Sequence, residues 1–136
     1  MKMTSNKKTT RMKRIILLIV FAFASHLAMA QTDNGWQPWQ KTSCYSKISF
    51  RLKYDGNNGE QHHWKIQFKS DYQNLISFNY NVTDKLQQYT ITTHRKALNA
   101  RQQSDEMDIY TKEEDIFLLV DKVSMTPYPE NFIECE

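Results

Sequence analysis

The chain has 136 residues, of which 18 are Lys or Arg and 15 are Asp or Glu. Its formal charge of +3 arises in residues 1–30, which hold six of the bases and no acid, leaving 12 bases against 15 acids in the remainder. A region near −3 lacks the clustered cations with which nucleic-acid binders neutralise phosphates, so no nucleic-acid partner is expected. The 106 residues after position 30 fit a single domain.

Residues 1–30 show the three parts of a secretory signal in order. A basic head ends at Arg14, an apolar run covers 15–24, and Ala28 and Ala30 place small residues before a cleavage point. The run of ten apolar residues is half of the roughly 20 that a spanning helix needs, which disfavours the alternative of an uncleaved anchor. We therefore predict cleavage after Ala30, a secreted or periplasmic location, and no stable membrane anchor in the mature protein.

Residues 31–43 form an aromatic segment ahead of the first strand pattern. Trp36 and Trp39 stand three positions apart in WQPWQ, where an extended chain could present both indoles to a glycan or a protein partner. The alternative is that the segment folds over one open end of the domain and shields its core, because large aromatic side chains are usually mostly buried.

Cys44 and Cys135 are the only cysteines, and they bracket nearly all of the predicted domain at 44–136. Export exposes both thiols to oxidants, so we predict that they form a disulfide. Thiols that never meet, or an intermolecular bridge, are the alternatives. A disulfide would also leave neither sulfur available as a catalytic nucleophile.

Three segments alternate apolar and polar residues with the period of a half-buried strand. They are YSKISFRLKY, HHWKIQFK and LISFNYNV. Gly56 and Gly59 separate the first two segments and can adopt positive φ, so we expect the chain to reverse there. The residues predicted to point inward are Ile48, Phe50, Leu52 and Tyr54, then Trp64, Ile66 and Phe68, then Ile76, Phe78, Tyr80 and Val82.

The second half has a weaker pattern. QYTITTHRKAL is compatible with a strand in which Tyr89, Ile91 and Thr93 are in phase and Leu98 closes the strand. KALNARQQ contains good helix formers, but it is short and uncapped, so a turn at 99–101 is preferred. An irregular strand at 107–110 and a strand in IFLLVDKVSM, apolar from 116 to 120, complete the pattern.

Six to seven short strands in about 100 residues predict an all-β fold, a small antiparallel β-sandwich of immunoglobulin-like type, with a small barrel as the alternative. An inward Trp64 and one early and one late cysteine resemble immunoglobulin-like modules. The span between the cysteines and the position of Trp64 depart from the spacing of that family. The resemblance therefore concerns architecture, which does not specify function.

Two adjacent histidines, His62 and His63, precede the second alternating segment. Neighbouring strand residues point to opposite faces, so these two side chains are not expected to chelate one ion. His94 is the only other histidine after position 30, whereas a zinc site needs three or four converging ligands. A metal site at these histidines is therefore a weak alternative, and no cofactor is expected.

Signals of catalysis are sparse. No Gly-x-Ser-x-Gly motif occurs, three glycines are too few for a phosphate-binding loop, and the acids of SDEMD and KEED lie in predicted polar turns. A small hydrolase is therefore the weakest hypothesis. We expect a non-catalytic module that binds a protein partner or the cell envelope. The alternative is a carbohydrate-binding module that uses Trp36, Trp39 and Tyr72.

Overall fold

The computed structural model describes residues 12–14 and 33–135. The predicted signal peptide at 1–30 lies outside the described residues, apart from positions 12–14. Among the residues that are described, no helix is long and apolar enough to cross a membrane.

Residues from Asn34 onward form one compact unit of seven strands in two antiparallel sheets. This confirms the prediction of a small all-β sandwich. One sheet has four strands in the order β1-β2-β3-β6, and the other has three in the order β5-β4-β7. The strands are β1 (Gln40–Lys41), β2 (Ile48–Asn58), β3 (Gln61–Ser70), β4 (Ile76–Asp84), β5 (Thr90–Leu98), β6 (Met107–Thr111) and β7 (Ile116–Ser124).

The hairpin of β2 and β3 follows the predicted alternation. Phe50 pairs with Phe68 and Leu52 pairs with Ile66, and all four side chains are buried in the core. Tyr54, predicted to point inward, is 46% exposed, because it lies near the free end of the hairpin beside a register shift. The reversal is tighter than predicted, since β2 continues to Asn58 and β3 begins at Gln61.

The core lies between the two sheets. The ring of Phe68 on β3 lies 5.1 Å from Phe78 and 5.0 Å from Tyr80, both on β4. These rings link interior strands of the two sheets. Full burial of a large apolar side chain stabilises a fold by about 1.5 to 3 kcal/mol, so this cluster is a major part of the stability. The fully buried large side chains include Ile48, Phe50, Ile66, Phe68, Ile76, Phe78, Val82, Leu98, Leu118 and Val123.

The strand predicted from QYTITTHRKAL is β5, and a turn follows it at 99–101, as predicted. Leu98 is buried opposite Ile76, so the even positions of β5 share the face of β4 that lines the core. His94 and Lys96 therefore occupy core-side positions and Thr93 occupies the other face, whereas Ile91, at the register shift between β4 and β5, packs against the core. The predicted inward phase is confirmed for Ile91 and is wrong for Thr93.

The predicted disulfide between Cys44 and Cys135 is confirmed, with the two Cα atoms 5.1 Å apart. Two further contacts hold the end of the chain. The Tyr45 hydroxyl donates to the Ile133 carbonyl oxygen at 3.1 Å, and the Ile133 amide donates to the Val123 carbonyl oxygen at 2.8 Å. Residues 133–135 therefore lie against the segment that leads into β2 and against the end of β7.

Candidate functional site

The described part of the aromatic segment, residues 33–43, lies along β2 and packs its tryptophans on the outer face of the four-stranded sheet. Its strand β1 pairs with β2, so that Gln40 lies opposite Phe50, and the Gln37 amide donates to the Leu52 carbonyl oxygen at 2.8 Å. This register places Trp39 beside Arg51. Trp36 is 5% exposed and Trp39 is half-buried.

Arg51 lies between the two indoles. Its guanidinium carbon is 4.6 Å from the ring centroid of Trp36 and 4.7 Å from that of Trp39. Two lysines also lie near the tryptophan rings. Lys53 Nζ is 6.0 Å from the centroid of the Trp36 ring, and Lys69 Nζ is 4.8 Å from that of the Trp39 ring. These are cation–π distances, so the tryptophan rings hold cationic groups rather than presenting bare faces.

Gln67 on β3 orients the Arg51 guanidinium through two hydrogen bonds. Its side-chain oxygen accepts from Arg51 Nε at 2.9 Å and from an Arg51 terminal nitrogen at 2.8 Å. Its amide nitrogen donates to the Ser104 carbonyl oxygen at 3.1 Å. Gln67 is neutral, so this contact fixes the direction of the guanidinium without cancelling its charge.

The adjacent histidines have separate partners. His62 Nδ1 lies 3.1 Å from the Tyr54 hydroxyl, which also donates to the Asn57 side chain. His63 lies between two carboxylates, with Nδ1 3.2 Å from Asp55 and Nε2 2.7 Å from Asp108. Each histidine therefore makes its own contacts, as expected for side chains on opposite faces of a strand.

His63 also belongs to a small charged cluster on the outer face. Its ring stacks on Tyr110 at 4.6 Å, and Lys65 Nζ lies 3.2 Å from the same oxygen of Asp108. A hydrogen bond donated by His63 and a weaker one donated by Lys65 lower the pKa of Asp108. The hydrogen bond to Asp108 in turn raises the pKa of Lys65.

His94 lies on β5 in the other sheet. Its ring stacks on Tyr80 at 5.2 Å, and its Nε2 is 3.1 Å from the Thr92 hydroxyl. The structure therefore does not bring His62, His63 and His94 together. Within 12–14 and 33–135, no group of three His, Cys, Asp or Glu side chains could hold a metal ion.

Tyr72 lies at one end of the sandwich, beside an open cleft of about 480 Å³. The side chain is only 5% exposed, and Lys47 Nζ lies 5.3 Å from its ring. Tyr72 therefore lines this cleft and does not present an exposed ring on which a sugar could stack. The lining residues are Lys47, Asp71, Tyr72, Gln73, Asn74, Met125 and Ile133.

The outer edge of β5 is the feature that sequence reasoning missed. This nine-residue strand pairs with β4 on one side and forms one edge of its sheet. Among the other edges of the described structure, β1 has two residues and β6 has five, and the nine-residue β7 accepts a hydrogen bond from Ile133 at Val123. Thr90, Thr93, His94 and Ala97 are exposed along β5.

The β5 edge is also cationic. It carries His94, Arg95 and Lys96 and contains no acid. Arg95 is half-buried on the outer face, where it donates to Asn79 at 2.9 Å and to Ser77 at 2.6 Å. The basic pair was visible in the sequence, but its place on a sheet edge depends on strand order, which the sequence did not provide.

Comparison with known proteins finds no matching family model, no matching curated protein and no matching solved structure. The function must therefore be inferred from the geometry of the chain itself.

Proposed function

We propose that this chain is an exported, non-catalytic interaction module that binds an extended acidic segment of a partner protein along the edge of β5. The observation that carries the proposal is a nine-residue sheet edge bearing His94, Arg95 and Lys96 without an acid. An edge strand has one row of unpaired amide and carbonyl groups, which an added strand from another chain can satisfy.

Charge determines the kind of strand that fits. Arg95 lies opposite Asn79 on the outer face, and Lys96 lies opposite Phe78 on the core side, so the cationic positions occur on both faces of β5. A partner strand beside β5 would place its own side chains next to these positions. Opposite charges on paired strands stabilise the pairing, and like charges destabilise it.

The same charges disfavour a second copy of this chain as the partner. Antiparallel pairing of two β5 edges about a twofold axis at Arg95 would place Arg95 of one copy opposite Arg95 of the other, with Lys96 of each copy beside that pair. Basic residues on an edge are a common means by which proteins prevent pairing of identical edges. An acidic partner segment removes that repulsion.

Export is the second part of the proposal. A disulfide between Cys44 and Cys135 is typical of an oxidising environment, such as the periplasm or the extracellular space. This supports export directed by a signal peptide at 1–30. The four and three strands of the two sheets support an immunoglobulin-like form of the sandwich. Carbohydrate binding by stacking on Trp36 and Trp39 has less support, because both rings hold cations.

The test uses the domain at 31–136 and two labelled peptides, one alternating valine with glutamate and one alternating valine with lysine. We expect the acidic peptide to bind about tenfold more tightly, and Lys96→Glu to reduce or reverse that preference. Lys112→Glu is the matched control, since Lys112 is exposed outside β5, and it should leave the preference unchanged.

Amide hydrogen exchange locates the contact. Protection along 90–98 on addition of the acidic peptide supports the proposal. Protection confined to β7, equal binding of both peptides, or concentration-dependent dimerisation through β5 would overturn it.

A further inference from the structure

The outer face of the four-stranded sheet gathers basic residues that are dispersed in the sequence. Lys41 on β1 and Lys69 on β3 both lie opposite Ser49 on β2, and Arg51 and Lys53 follow at alternate positions of β2. Neighbouring strands are about 4.8 Å apart and alternate residues of a strand about 7 Å apart. These four residues, called here the basic face, therefore occupy a patch about 10 Å wide and about 14 Å long.

Three of the four have no carboxylate partner among the described residues. Lys41, Lys53 and Lys69 form no ion pair there, whereas Lys65 on the same face lies 3.2 Å from Asp108 and 3.6 Å from Glu106. Charge is therefore compensated at Lys65 on β3, whereas Lys53, directly opposite it on β2, forms no ion pair among the described residues. The net charge of the region after position 30 is negative, so the basic face is a positively charged patch on a negatively charged domain.

The tryptophans hold part of this charge in place. Lys69 lies over Trp39, Lys53 lies near Trp36, and Arg51 lies between the two rings. Lysine side chains in water lose conformational freedom when they bind a ligand, and contacts that order them beforehand reduce that cost. The indoles thus position cationic groups without supplying a counter-charge.

We infer that the basic face is a binding site for an acidic polysaccharide. Carboxylate or sulfate groups along a sugar chain match a patch of cations spread over three strands. The site lies on a sheet face, where the backbone groups of β2 are already paired on both sides around Ser49, so it offers an extended peptide no free edge. This inference does not rest on the β5 proposal, because β5 belongs to the other sheet.

A polysaccharide is favoured over a nucleic acid by charge density and compartment. Duplex DNA carries one charge per about 1.7 Å, and its binders neutralise many phosphates, whereas this domain is acidic outside the basic face. The disulfide is typical of the oxidising compartments in which secreted proteins reside.

The experiment measures binding of polygalacturonate, neutral dextran and a single-stranded DNA oligonucleotide to the domain at 31–136. Polygalacturonate should bind, and its affinity should fall as salt is raised. Lys53→Gln and Lys69→Gln should each weaken binding about two- to fivefold. Lys65→Gln removes the same charge from the same face at a position already paired with acids, and it should change the affinity much less.

Three outcomes would overturn the inference. They are binding of polygalacturonate no tighter than that of dextran, a loss in Lys65→Gln equal to that in Lys53→Gln, and tighter binding of the oligonucleotide than of polygalacturonate. Unchanged thermal melting of each variant shows that an altered affinity does not come from unfolding. Loss of polysaccharide binding would leave the peptide test of β5 unaffected.

Discussion

Cys44 and Cys135 are 91 positions apart in the sequence and 5.1 Å apart at Cα. Their disulfide joins the segment that leads into β2 to the end of the described chain. Because β2 belongs to one sheet and the tail bonds to β7 in the other, the bridge closes a loop that contains most of both sheets.

Replacing both cysteines by serine should lower the free energy of unfolding by about 4 kcal/mol, because a loop of this length greatly restricts the unfolded chain. Denaturant titration of the oxidised protein and of Cys44→Ser/Cys135→Ser measures the difference. The wild-type mass should increase by two hydrogens on reduction. Equal unfolding midpoints for the two proteins would show that the bridge adds no stability.

Arg95 forms hydrogen bonds with β7 and with the residues that follow it. Besides Ser77 and Asn79, it donates to the Lys122 carbonyl oxygen at 3.1 Å and to the Tyr128 carbonyl oxygen at 3.4 Å. Lysine cannot reproduce this fork of donors, so Arg95→Lys should cost about 2 kcal/mol of stability. Denaturant unfolding measures the cost.

Arg101→Lys is the control for that substitution, since Arg101 is exposed in the turn after β5. It should change stability by less than about 0.5 kcal/mol. Amide chemical shifts at 124–128 should move in the Arg95 variant and not in the control. Equal losses in the two variants would contradict a specific role of Arg95 in holding the tail.

The sequence predicted those parts of the fold in which a strand is half-buried. Alternation identified β2, β3 and β4, because each has one face in the core. It misassigned Thr93 on β5, where His94 and Lys96 occupy core-side positions at the margin of the sandwich. An edge strand that is only partly covered can carry polar residues on both faces, so its hydrophobic pattern is weak.

Long-range contacts explain the other differences. The Cys44–Cys135 pairing could be predicted because the chain has no other cysteine. The location of Trp39 beside Arg51 depends on the register between β1 and β2, and the basic face depends on the order of three strands. No local pattern encodes these relationships, although alternation did place Arg51 and Lys53 on one face.

Tyr89 should ionise at a higher pH than an ordinary tyrosine does. Its hydroxyl donates to a carboxylate oxygen of Glu113, which raises the pKa of Tyr89 to about 12 from an ordinary value of 10.0. The folded state favours the neutral phenol, so this contribution to stability is complete below pH 10.0 and is lost as the pH rises towards 12.

An NMR titration of the Tyr89 ring measures that pKa directly. Glu113→Gln should lower it towards the ordinary value, because the glutamine carbonyl carries no charge. Glu114→Gln removes an exposed neighbouring charge and serves as the control. A midpoint that is the same in Glu113→Gln and in the wild type would show that the hydrogen bond does not govern the ionisation.

Asp108 should retain its charge to lower pH than an ordinary aspartate does. His63 Nε2 donates to it at 2.7 Å and Lys65 Nζ at 3.2 Å, and these contacts lower its pKa below the usual 3.8. The folded state favours the carboxylate, so the associated stability is present above pH 3.8 and is lost as the pH falls through the lowered pKa.

His63→Gln removes the principal donor and should raise the pKa of Asp108. A carbon-detected titration of the Asp108 carboxyl group measures the change, with His94→Gln in the other sheet as the control, and an unchanged midpoint in His63→Gln would assign the shift to Lys65 instead.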